Sequence, residues 1–390
     1  MPPLRALIKA LVQSMLPALI VGLLGPASAP GAPLDACPAA PDPCAPPVET
    51  AAPSDEPLVT TEHGGRRPAC GRDVWSVITR ALPEIGHMPR EPRFGVERLD
   101  ADGRRHPAGL EALLADPRQP LLVFVHGNRY EHHEAWEEGL LLAARTCATC
   151  PEAARTRTVI FSWPSAQQGI LLRDSRAKYR RAQSEGHYLA SFLARVGPDR
   201  PVALICYSYG SLIALEALED LVHAHASGRE GVEPWIGRTA PLHVVLVAAA
   251  VRHDALAPCG PYRETLPCID RLTLLYNSDD CALSFFEFVD RSLRTEALGH
   301  EGMPASWVPR GIGFSQVDAA PIVGTSHAFT DYLRSRSLMG RICSGAGRGL
   351  RCPDRDAPAG ACGPSQGGLR VEHETVDEPP PACPCHLPGD

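Results

Sequence analysis

The chain has 390 residues, 44% of them hydrophobic and 6% aromatic, the composition of a soluble globular protein with room for one large core or two modest ones. Its formal charge of -7 gives no general attraction to polyanions, which sets nucleic acid aside as a partner.

At the N-terminus, Arg5 and Lys9 precede the apolar stretch "ALVQSMLPALIVGLLG", and the small residues "PASAPGAP" follow. This is the three-part plan of a secretory signal, and it predicts that residues 1–29 are removed on export. An apolar run of about 15 residues, broken by Gln13, Ser14 and Pro17, falls short of the roughly 20 that cross a bilayer, so no stable membrane span is expected in the mature chain. Fourteen cysteines point to the same oxidising setting, periplasmic or extracellular.

Residues 30–69, rich in Pro and Ala, read as a disordered linker. Residues 341–390, rich in Gly, Pro and Cys, read as a tail with too few large apolar residues for a core. Cys352, Cys362, Cys383 and Cys385 are expected to tack that tail to the folded domain, which is placed at 70–340. Cys147 and Cys150 form a CxxC. No second CxxC at zinc-ribbon spacing accompanies it, so a local disulfide is expected and no metal site. Cys259 and Cys268 read as the ends of another stapled loop.

Within the domain, apolar runs of strand length fall at 121–125 (LLVFV), 158–162 (TVIFS), 202–206 (VALIC), 243–248 (HVVLVA) and 272–276 (LTLLY). Helical stretches lie between them, among them 132–145, 174–195 and 209–223. Short continuous apolar strands alternating with amphipathic helices predict an α/β domain: a mostly parallel central sheet with helices on both faces. In such sheets ligands bind at the carboxyl ends of the strands.

The polar turns of chemical interest all fall at those ends. "VALICYSYGSLIALEALEDL" is an apolar strand, a tight turn centred on Ser208, and a helix, the context in which a serine is held exposed on a strained elbow. Gly210 supplies one of the small residues that such a turn needs, and Cys206 stands where glycine is common. A serine hydroxyl is a weak nucleophile until a base takes its proton and a carboxylate holds that base in the right tautomer. Downstream, "NSDDCAL" places Asp279 and Asp280 in a strand-end loop, and "PIVGTSHAFTDYL" places His327 in a loop before a short helix. Asp280 reads equally as the N-cap of the helix beginning at "CALSFFEF".

"HGN" at 126–128 follows the strand LLVFV. A serine mechanism needs N–H donors aimed at the oxyanion, one from the residue after the nucleophile, here Tyr209, and one from the loop after an earlier strand. Gly127 lets that loop turn outward, the Asn128 amide is the expected second donor, and His126 is expected to prop the loop by side-chain hydrogen bonds. Trp163 and Pro164 of "SWPS" read either as an apolar wall near the elbow or as core packing.

The segments "VFVHGNRYEHHEAW", "VIFSWPSAQ", "RDSRAKYRRAQSEGHYLASFL", "LICYSYGSLIALEAL", "NSDDCAL" and "SHAFTDYL", in this order, resemble a poorly characterised bacterial subfamily of α/β-hydrolases whose motifs run HGxN, SWPS, HSxG, a strand-end NDxAL and a terminal histidine. The resemblance spans roughly residues 118–335. It implies the α/β-hydrolase fold, Ser208 as nucleophile, Asp280 in preference to Asp279 as the acid, and His327 as base. The expected activity is cleavage of carboxylic esters or thioesters through an acyl-enzyme, on a small-molecule or lipid substrate, with neither metal nor organic cofactor. Two other readings stay open: a non-catalytic binding or envelope protein on the same scaffold, and an acyltransferase that passes the acyl group to an alcohol. Nothing in the sequence bears on oligomeric state.

Overall fold

A computed structural model describes residues 71–84, 89, 91–168, 171–228, 233–289 and 295–350. The expected signal segment, the linker and the tail cysteines lie outside the described residues. The strands are β1 (Val74–Ile78), β2 (Gly95–Leu99), β3 (Arg105–Pro107), β4 (Leu121–Val125), β5 (Arg157–Ser162), β6 (Val202–Tyr207), β7 (Leu242–Val247), β8 (Arg271–Tyr276) and β9 (Gly313–Asp318). They form a single sheet in the order β3-β2-β1-β5-β4-β6-β7-β8-β9. β1, β2 and β3 pair antiparallel, and every other neighbour pair is parallel.

The central strands read LLVFV, VALICY and LHVVLV, and each of their residues is buried. Continuous apolar runs of this kind suit a sheet covered on both faces, where each buried Val, Leu or Ile contributes about 1.5–3 kcal/mol. The cover consists chiefly of α1 (His132–Thr149), α2 (Leu171–Leu193), α3 (Tyr209–Ala226), α4 (Phe329–Arg334) and α5 (Arg336–Ala346). α2 and α3 pack against each other, and α5 packs against α1 and α4. α1 starts on a capping box: the Glu131 side chain accepts from the third-residue amide, and Glu134 accepts from the Glu131 amide at 2.6 Å. This satisfies two of the N–H groups that a helix start leaves without partners. No helix among the described residues is long and apolar enough to cross a membrane.

Two cysteine expectations are corrected. Cys150, at the C-terminal end of α1, is joined to Cys343 in α5, with 5.6 Å between their Cα atoms. The CxxC therefore does not close on itself, because α5 packs beside α1 and brings a cysteine 193 positions away within bonding distance. Cys147 is itself disulfide-bonded. Cys268 carries a free thiol while Cys259 is disulfide-bonded, so these two do not staple one loop. The folded body also runs past residue 340: Ile342, Ala346 and Leu350 are buried, and α5 closes over β7 and β8.

Parallel pairing aligns the strand ends. Val125 faces Cys206, Cys206 faces Leu246, Leu246 faces Leu274, and Leu274 faces Gln316. The loops leaving β4, β6, β8 and β9 consequently share the carboxyl edge of the sheet.

Candidate active site

Ser208 sits between β6 and α3 with φ 53° and ψ -121°, a region that residues with a Cβ avoid, at a strain cost of about 1–3 kcal/mol. The turn is held from both sides. The Ser208 amide donates to Val247 O (3.0 Å), and Ser208 O accepts from the amides of Ser211 (3.0 Å) and Ala250 (3.2 Å). Gly210 is dictated by space: a Cβ there would lie 2.0 Å from Val125 O, so only glycine lets α3 start against the end of β4. Cys206 is buried and its thiol is pushed up by burial, which leaves it a small apolar side chain with no nucleophilic character.

His327 enters from the loop between β9 and α4. Its Nε2 lies 3.0 Å from Ser208 Oγ and its Nδ1 lies 2.6 Å from Asp280 Oδ2. An ionised carboxylate only accepts, so Nδ1 carries the proton and Nε2 faces the serine hydroxyl as acceptor. Asp280 is fully buried, and its other oxygen, Oδ1, accepts from the amides of Ala282 and Leu283, both at 2.9 Å. Ala282, not Asp280, is the N-cap of the 283–288 turn; Asp280 instead holds two amides at its start while its other oxygen meets His327. Asp279 is exposed, and its amide turns back to Asn277 Oδ1 at 3.1 Å.

The "HGN" loop lies against the same elbow. A Cβ on Gly127 would come 2.8 Å from the Tyr207 ring and 3.1 Å from Ser208 Cβ, so the loop backbone presses directly on the serine turn. Tyr209 is the first residue of α3, where a helix leaves its N–H without an intrahelical acceptor. His126 is fully buried between the loop and the end of β5. The Trp163 amide donates to its Nε2 (3.2 Å), which fixes the proton on Nδ1, and Nδ1 donates to Gly127 O (2.9 Å). Trp163 Nε1 donates to His126 O (2.9 Å), and the indole stacks on the imidazole at 5.7 Å.

The "SWPS" segment is thereby a scaffold for the loop. Ser165 O accepts from the Arg129 amide (2.8 Å), and Ser165 Oγ accepts from the Tyr130 amide (3.1 Å). Of the two readings for Trp163, the structure favours core packing, since the side chain is fully buried.

Burial pushes His126 down to about 3, so its ring is expected to remain neutral throughout the working range of the protein. The unfolded chain takes up that proton near 6.5. The ring's contribution to stability is therefore complete above that value and declines by about 1.4 kcal/mol per pH unit below it. A His126 ring chemical shift that stays constant between about pH 8 and about pH 5 checks this, and a titration midpoint inside that interval refutes it.

Two residues that the sequence does not single out hold the site together. Asn277 Nδ2 donates to Gly324 O (2.9 Å) and Ser326 O (3.0 Å), tying the Asp280 loop to the His327 loop. Tyr207 OH donates to His327 O at 2.5 Å. The one hint available for Asn277 is its place in a turn after a strand, where asparagine commonly bonds nearby backbone. Among the described residues, Glu219, His223 and Glu264 bring ligand atoms within 4.8 Å of one another. Glu219 and His223 sit about three and four turns along α3 from Ser208, Glu264 lies on the separate 263–268 turn, His223 and Glu264 are exposed, and the cluster contributes nothing to the site.

A family model described as "Alpha/beta hydrolase of unknown function (DUF900)" matches residues 108–325. The chain belongs to this alpha/beta hydrolase family. The match runs from just before β4 to two residues short of His327, and so takes in the elbow, the "HGN" loop and the Asp280 loop. No curated protein matches the chain. The nine-stranded, mostly parallel sheet of this alpha/beta hydrolase carries Ser208, Asp280 and His327, in that chain order, on loops at its carboxyl edge.

Proposed function

We propose that this alpha/beta hydrolase cleaves carboxylic esters or thioesters through a covalent acyl-enzyme on Ser208. His327 Nε2 takes the hydroxyl proton as Oγ attacks the acyl carbon, and Asp280 stabilises the imidazolium through Nδ1–H. The amides of Tyr209 and Asn128 receive the charge that develops on the carbonyl oxygen. The tetrahedral adduct collapses, the C–O or C–S bond breaks, and His327 returns the proton to the departing alcohol or thiol. Water, deprotonated by the same imidazole, then attacks the acyl-serine and releases the acid. Protein groups and water account for every proton in this cycle.

The observation that carries the reading is the unbroken chain Asp280–His327–Ser208, with contacts of 2.6 and 3.0 Å, ending on a serine held at φ 53°. Gly127 packed on Ser208 Cβ supports the oxyanion assignment. The Cys150–Cys343 disulfide supports a location outside the cytosol, periplasmic or extracellular. The direct test is a fluorophosphonate probe followed by peptide mapping. One adduct per chain, on Ser208, is expected, and native protein that stays unlabelled while a control serine hydrolase reacts fully overturns the reading.

A further inference from the structure

The geometry points to Tyr207 as a positioning residue: its hydroxyl clamps the backbone of His327 so that the imidazole stays aligned between Asp280 and Ser208. This inference rests on the serine-hydrolase reading and names a group through which that site is held. Tyr207 ends β6 and directly precedes the elbow serine, yet its hydroxyl reaches 120 positions along the chain to donate to His327 O at 2.5 Å.

The ring is fixed on several sides. It stacks on Phe329 at 5.0 Å, and Phe329 stacks in turn on Phe124 of β4 at 5.1 Å. It meets the His327 ring at 5.3 Å and the edge of Tyr130 at 6.4 Å. The residue is buried, and the absent side chain at Gly127 is what leaves room for its ring. Burial raises the phenol well above its ordinary range, which favours the protonated hydroxyl that donates this bond.

The need for such a clamp follows from where the base resides. His327 is carried on a loop, half-exposed, between the turn at 320–324 and α4. Beside the ring contacts, the bond to its own carbonyl ties the backbone of this residue to the strand bearing the serine. Asn277 fastens the loop one residue upstream, at Ser326 O, and that bond runs to β8 and leaves the distance to β6 unset. Tyr207 therefore links base and nucleophile through rigid β6 backbone, and a small loss of alignment at a proton-transfer site is costly.

The test compares wild type with Tyr207→Phe, which keeps the ring stack and removes one hydroxyl. On a short-chain nitrophenyl ester, kcat is expected to fall by about ten- to a hundredfold with KM changed less than about twofold. The low-field proton resonance of His327 Nδ1–H is expected to broaden or vanish as the contact with Asp280 becomes intermittent. p-Aminophenylalanine at position 207, which returns a donor, is expected to restore both in part. Wild-type kcat together with an unchanged resonance in Tyr207→Phe overturns the inference. The wild-type Tyr207 hydroxyl is expected as a slowly exchanging proton with a nuclear Overhauser effect to His327; its absence overturns the inference even where Tyr207→Phe does not fold. Wild type without any ester turnover refutes the hydrolase reading instead, while the two resonances still report on the clamp.

Discussion

Ser208→Ala is expected to lower kcat toward a short-chain nitrophenyl ester by about 10⁴- to 10⁶-fold, leaving only the residual rate that oxyanion donors and binding supply. The loss should lie almost wholly in kcat, since the hydroxyl meets the substrate covalently and contributes little to its ground-state binding. Stability separates this effect from damage to the fold. Alanine keeps the Cβ and therefore the strained backbone at φ 53°. Ser208→Gly relieves that strain and is expected to match the alanine variant in inactivity while melting about 2–4 °C higher for each kcal/mol gained. Two equally inactive variants, one as stable as the wild type and one more stable, attribute the loss to chemistry. Activity that survives either substitution within about tenfold rules out an acyl-enzyme at this serine.

What the sequence makes legible follows burial and locality. β4 to β8 can be read because each is a continuous apolar run, and the structure places them at or within a residue of the expected bounds. β3 (RHP) is exposed throughout and β9 (GFSQVD) is only half-buried, so neither carries a hydrophobic period to read. β1 (VWSVI) is buried, but Ser76 interrupts its run, and its antiparallel partner β2 alternates too weakly to announce a strand. The elbow, "NSDDCAL" and "SHAF" are likewise local patterns, which is why residue order alone suffices to single out their side chains.

What stays hidden is contact between distant segments. The Tyr207–His327 bond spans 120 positions, the Asn277 bonds span 47 and 49, and the Cys150–Cys343 link spans 193. Residue type alone constrains none of these, because they depend on which loops the sheet order β6-β7-β8-β9 brings to one edge. The CxxC shows the hazard: the nearest cysteine in sequence is not the nearest in space once a C-terminal helix packs across the end of α1.

The second large effect concerns Asp280, whose two oxygens serve different partners and can be separated by substitution. Oδ1 receives the Ala282 and Leu283 amides, and Oδ2 receives His327 Nδ1–H. Asp280→Asn retains one carbonyl oxygen, which can keep both amide bonds, but it turns an NH₂ group toward His327. The imidazole must then accept at Nδ1 and carry its proton on Nε2, where it can no longer take one from Ser208. Activity is expected to drop on the order of 10⁴-fold with the melting temperature nearly unchanged. Asp280→Ala removes the amide acceptor as well and is expected to add about 1 kcal/mol of destabilisation from the lost bonds to the Ala282 and Leu283 amides, with a similar loss of activity. The pair of variants decides between the two readings of this residue: a group that only holds the amides at the start of the 283–288 turn predicts activity kept in Asp280→Asn and impaired only as far as stability is in Asp280→Ala. A carboxylate that sets the tautomer of His327 predicts near-equal inactivity in both, whatever their melting temperatures.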